Sequence, residues 1–89
     1  MRIRPMSKKE KLIKRLLSSP KDFTFDELVT LLGLLGFWQR NAGKTSGSRV
    51  EFTNDGKRYI KFHRPHPGNV LKPYALEDII EGLKGRGLI

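Results

Sequence analysis

The 89-residue sequence predicts an α+β domain in the order α-α-β-β-β-α, with helices on one face of a three-stranded antiparallel sheet. Three observations carry this. Apolar residues recur at helical spacing before Gly36 and again from Leu76 to Leu83, but between them they alternate with period two. Both early helices open on capping signals, and an Asn-Asp-Gly turn divides the alternating stretch. The alternating segments are apolar on one side only, which leaves the second sheet face open to solvent.

The elements follow in order. Met1 to Met6 have no periodic pattern and are expected to be a loose terminus. Ser7, with Glu10 three residues later, caps a helix of roughly 8–18 whose Leu12, Ile13, Leu16 and Leu17 pack on the core. Ser18-Ser19-Pro20 ends it, because the residue before a proline disfavours helical geometry. Thr24 and Glu27 repeat the box for a second helix with the stripe Phe25, Leu28, Val29, Leu32 and Leu35, closed by Gly36. Leu31 and Leu34 widen its apolar arc, as expected of a central helix. Phe37 to Ala42 form a first strand, and residues 43–47 a flexible loop. Ser48 to Thr53 place Val50 and Phe52 inward; Arg58 to His63 place Ile60 and Phe62 inward, with Tyr59, Lys61 and His63 outward. A three-residue loop at Asn54-Asp55-Gly56 sets Arg49 opposite Lys61, with His63 as a diagonal neighbour. Two prolines and a glycine keep the segment from His63 to Asn69 irregular. The last helix follows Pro73, with Leu76, Ile79, Ile80 and Leu83 as its stripe. Glu77 and Asp78 are expected to favour its N-terminal dipole end, and Gly85 and Gly87 to finish it. Residues 1–22 thus form a basic extension with one helix, and residues 23–89 the α+β domain.

Composition narrows the function. Eighteen Lys and Arg against nine Asp and Glu give a net charge of +9, so a polyanion is the first partner to consider. Residues 1–22 carry +6 and residues 48–73 carry +4, while the rest is neutral or slightly acidic. In the second stretch aromatic and histidine side chains interleave with the charge. The absence of cysteine excludes disulfides, thiolate metal sites and thiol nucleophiles. We expect neither a signal peptide nor a membrane helix, and a soluble cytoplasmic protein.

The catalytic equipment is sparse. There is no glycine-rich phosphate loop, and the acidic residues are too scattered for a carboxylate metal site or a glycosidase pair. His63 and His66 could bind a metal, but no third ligand stands nearby, so none is expected. The remaining chemistry is phosphodiester work, since RNA carries its own 2′-hydroxyl nucleophile. It needs a base and an acid near neutrality and cations for the phosphorane charge. Arg49, Lys61, His63, Arg64, His66 and Lys72 supply these types close together. The plainer alternative is that His66, between two prolines, only hydrogen-bonds its loop. Tyr59, outward, is the candidate for base stacking; Trp38 and Tyr74 are expected to pack.

The stretch from Phe25 to Leu83 resembles the HicA toxin family of type II toxin–antitoxin systems, also called the YcfA-like family. The resemblance runs through Leu32-Leu35-Gly36-Phe37, Gly47-Ser48, His66-Pro67-Gly68 and Leu71-Lys72-Pro73, in that order. It covers about two-thirds of the chain, and the first helix is an extension ahead of it. The resemblance implies a fold similar to a double-stranded RNA-binding domain. It also implies a metal-independent, mRNA-cleaving toxin without cofactor, neutralised by a HicB-type antitoxin that covers the active surface. His66 matches the family's histidine before the last helix. The histidine that family members carry after the Gly-Ser pair, their catalytic residue, is here Arg49. Arginine cannot act as a general base in a protein. Two readings therefore stand: a ribonuclease using His66 or His63, with Arg49, Lys61, Arg64, Lys72 and Tyr59 holding RNA, or a non-catalytic RNA-binding or antitoxin-binding module.

Overall fold

The computed structural model describes residues 7–40, 49–54, 58–65 and 68–89, with the backbone alone at Arg49. Its elements are α1 (Lys8–Leu17), α2 (Phe25–Leu34), β1 (Trp38–Arg40), β2 (Arg49–Thr53), β3 (Tyr59–His63) and α3 (Pro73–Gly85). The sheet is antiparallel with strand order β1-β2-β3. The α+β architecture and its element order are those the sequence predicts.

The helices start and stop where local chemistry directs. Ser7 Oγ accepts the Glu10 N–H, which occupies one orphan donor of α1. At α2 the capping box is complete: Thr24 Oγ1 accepts from Glu27 N, and Glu27 Oε1 accepts from Thr24 N. α2 ends in a Schellman motif, with Gly36 at φ +92° and the bonds Gly36 N to Gly33 O and Phe37 N to Leu32 O. α3 ends in the same motif around Gly87. At α1 the left-handed position falls on Ser19, φ +52°, and Pro20 has no N–H to complete the second bond. Pro73 sits in the first turn of α3, where its missing N–H costs nothing. That first turn holds no acidic residue: the helix begins early enough that Glu77 and Asp78 fall in its second turn, so their expected role at the dipole is corrected.

The core gathers Leu16 of α1, Phe25, Leu28, Leu31 and Leu32 of α2, Val50, Phe52 and Ile60 of the sheet, and Leu76, Ile79 and Leu83 of α3, with Phe23, Phe37 and Leu71 from the connections. The Phe52 ring is fully buried and packs at a tilt on Phe25 and Phe62, at centroid distances of 6.4 and 6.1 Å. α1 packs chiefly on α2 and α3, and Leu16 is fully buried, so the extension belongs to the same core. Arg15 fixes its exit. Its guanidinium donates to both Glu27 carboxylate oxygens, at 2.6 and 3.1 Å, and to Asp22 Oδ1 at 3.1 Å, while lying 5.5 Å from the Phe23 ring centroid. The Arg15 hydrogen bond holds the Glu27 carboxyl below its ordinary range, more than desolvation raises it. The same bond holds Arg15 more firmly protonated.

One expectation is corrected in the hairpin. Arg49 pairs with His63, and Glu51 with Lys61, a register two residues away from the predicted one. The cause is Asn54. Its N–H donates to Arg58 O, and its Oδ1 accepts from Arg58 N at 3.0 Å, so Asn54 closes the ladder instead of entering the loop. Residues 55–57 lie outside the described residues. Because the slip is even, every side chain keeps its face.

Candidate functional site

The alternation of β3 decides what the site contains. Ile60 and Phe62 face the helices; Tyr59, Lys61 and His63 face outward and are exposed. β3 is also an edge strand, and the start of α3 comes near its end. A groove of about 390 Å³ runs between them, lined by Lys61, His63 and Arg64 on one side and by Lys72, Tyr74 and Asp78 on the other. Phe62, Leu71 and Ile79 are apolar members of the same lining.

The loop before α3 holds the groove's second wall. Leu71 N donates to Phe23 O and Phe25 N donates to Asn69 O, both at 2.8 Å, and Asn69 Nδ2 donates to Asp26 Oδ2. Thr24 and Val70 form an isolated bridge in the same seam. This ties the segment to the start of α2, so Lys72 enters α3 at a fixed place. Arg64 is steadied differently, with its guanidinium 5.2 Å from the Phe25 ring centroid. At the far end Arg86 Nη2 donates to Tyr59 O and links α3 back to β3.

The residues singled out by sequence therefore divide. Lys61, His63, Arg64 and Lys72 share the groove. Arg49 lies directly across the ladder from His63, closer than the diagonal placement expected. Tyr59 stands two residues along the strand from Lys61, on the open face, with its ring 5.6 Å from the Arg40 guanidinium. His66 lies outside the described residues. Among the described residues, Lys61, His63 and Lys72 form no salt bridge; the nearby carboxylate of Glu51 pairs with Arg40 at 3.7 Å. The groove thus presents an imidazole and several cations in a concave, half-apolar setting, which suits an anion with apolar parts better than a bare ion. No group of three His, Cys, Asp or Glu side chains among the described residues is arranged to hold a metal. No helix among them is long and apolar enough to cross a membrane.

Two expectations fail here. Trp38 does not pack in the core but is 49 % exposed, and Tyr74 is 66 % exposed. Trp38 follows Phe37, which takes the buried position, so strand parity turns the indole outward. Arg40, two residues on, shares that face and was not singled out from sequence; the same parity was the signal for it.

Comparison with curated proteins and with solved structures finds no match. The family model of the HicA toxin of bacterial toxin–antitoxin systems matches residues 25–84, which takes in α2, the whole sheet, the groove and nearly all of α3 and leaves α1 outside. The chain belongs to the HicA toxin family.

Proposed function

We propose that this toxin binds RNA along the groove and cleaves mRNA without a metal, and that a HicB-type antitoxin restrains it in the cytoplasm. The observation that carries the proposal is the groove itself, which gathers His63 with Lys61, Arg64 and Lys72. The chemistry needs little else. The ribose 2′-hydroxyl gives its proton to an imidazole and its oxygen attacks the adjacent phosphorus. The bond to the 5′-oxygen breaks, and that oxygen takes a proton from the second acid, leaving a 2′,3′-cyclic phosphate and a 5′-hydroxyl. His63 and His66 are the candidates for the two proton-transfer roles. Lys61, Arg64 and Lys72 would offset the charge that builds on the phosphorane oxygens. Arg49, across from His63, would hold phosphate, because its guanidinium stays protonated and cannot act as a base.

The test is incubation of the purified chain with mRNA, repeated with His63→Ala and His66→Ala. Cleavage by the parent and its loss in at least one variant are expected. Equal cleavage by both variants would remove this assignment of roles. Induction should arrest growth, and co-expression of the antitoxin should relieve it.

One observation favours a second reading, a non-catalytic RNA-binding module: the family's catalytic histidine position holds Arg49. Intact RNA together with affinity that falls steeply with salt would select it.

A further inference from the structure

The open face of the sheet carries its own pattern beside the groove. Ladder pairing aligns Trp38, Thr53 and Tyr59 in one row and Arg40, Glu51 and Lys61 in the next. Parity sets all six side chains opposite the buried Phe52 and Ile60. Both rings of the first row are about half exposed, Trp38 at 49 % and Tyr59 at 44 %. They stand two strand spacings apart, about 10 Å, with a small threonine between them. Arg40 reaches back over the Tyr59 ring at 5.6 Å and pairs with Glu51 at 3.7 Å, and Lys61, which forms no salt bridge among the described residues, continues the row toward the groove.

Each part of this surface has a counterpart in one kind of ligand. Two exposed aromatic faces accept planar π-systems, and the neighbouring cations accept the phosphates that join them. A duplex cannot use the rings, because its base faces are already stacked; it offers only phosphates, 2′-hydroxyls and shallow groove edges. An unpaired strand offers both bases and backbone. The intermediate polarity of the row matters too: Thr53 leaves room between the rings, where a third large side chain would fill the platform.

We propose that this sheet face binds single-stranded RNA, with one base stacked on Trp38 and another on Tyr59, and the backbone following Arg40 and Lys61 toward the groove at His63. The platform thereby selects unpaired RNA as the substrate class. The inference rests on the RNA-binding reading above and adds the strandedness and the residues that read it.

Trp38 is the only tryptophan, so its emission reports on the platform alone. The full chain is titrated with an unstructured 12-nucleotide RNA bearing 2′-O-methyl groups, which remove the nucleophile, and with the duplex of that strand and its complement. Binding is followed in parallel by the anisotropy of a dye on the RNA. The single strand should quench Trp38 saturably and bind at least tenfold more tightly than the duplex. Trp38→Leu and Tyr59→Leu should each weaken single-strand binding by about 5- to 100-fold, with unchanged circular dichroism, and Tyr59→Phe should restore most of the affinity. Binding with unaltered Trp38 emission, equal affinity for duplex, or full affinity in both Leu variants would overturn the stacking proposal and leave the RNA reading standing. No binding of either RNA would sink both. Emission that responds to the antitoxin but not to RNA would make this face a protein interface and overturn the proposal.

Discussion

Residues 1–22 and 48–73 are the two basic stretches, at +6 and +4, and they meet their surroundings differently. In the first, the cation nearest the core is fully engaged: Arg15 is held by Glu27 and Asp22. The lysines of α1, Lys8, Lys9, Lys11 and Lys14, stand exposed along one convex helix. In the second, Lys61, Arg64 and Lys72 converge with His63 on a concavity. Charge on a convex helix face is spread into water and screened by salt within about 10 Å. Charge lining a groove is focused by its low-dielectric walls. The smaller excess is therefore the better placed to act on a ligand.

The helix that carries the larger excess is itself packed into the core, and the largest expected effect tests that packing. Leu16→Ala removes a fully buried side chain between α1 and the helical layer. A loss of about 2–5 kcal/mol is expected in urea unfolding. Leu17→Ala, at a position 43 % exposed, should cost far less. If both cost the same small amount, α1 is an appendage and the comparison loses its first half.

The second effect sharpens the other half. The double change Lys61→Ala with Lys72→Ala should weaken binding of a single-stranded RNA by tenfold or more at moderate salt. It should also lower the slope of log affinity against log salt by about 1.4, two contacts at about 0.7 each. An unchanged slope would mean that the groove does not meet phosphate.

The contrast between the two regions was only partly legible in the sequence. The Ser7 cap, which forms without the return bond from the Glu10 side chain, the complete box at Thr24 and the turn glycine at 36 are local devices, and local devices are read from neighbours within four residues. Strand faces were legible for the same reason, since parity does not depend on register. The register itself was not. It turned on whether Asn54 enters the loop or closes the ladder, and the side-chain bond from Arg58 N decides that only in three dimensions. The groove was hidden further still. Nothing near Lys72 in the chain announces that Phe23 and Phe25 clamp its approach segment. Trp38 was misplaced because an indole's large apolar area argues for burial, while one residue of parity argued against it and won.

A third, smaller effect follows from the clamp on α1. Glu27's carboxyl titrates below its ordinary range in the folded chain because of Arg15. Its contribution to stability is fully present above the unfolded value, near 4.3, and disappears as pH falls through the lower folded value. The Tm of the parent should therefore fall between about pH 5 and the acid end of that window. Glu27→Gln should start lower at pH 7 and lose less on acidification. Parallel pH profiles for the two would show that the ion pair is thermodynamically idle, as many surface pairs are.

The smallest expected effect is the most exacting for the comparison. The triple change Lys8→Gln, Lys11→Gln and Lys14→Gln removes three of the nine net charges, more formal charge than the groove double does. All three side chains are exposed and none forms a salt bridge among the described residues. Each should move stability by no more than about 0.5 kcal/mol. Their effect on RNA should be confined to long-range attraction. Association at low salt slows slightly, and the difference fades near 0.15 M, where the screening length is about 8 Å. The salt slope of the equilibrium should stay with the parent, because a slope counts phosphates in contact and not total charge. A slope lowered by about 2, three contacts at about 0.7 each, would place RNA along α1 as well as the groove. Net charge alone would then have been the better guide to the binding surface, and concavity would not be what separates the two regions.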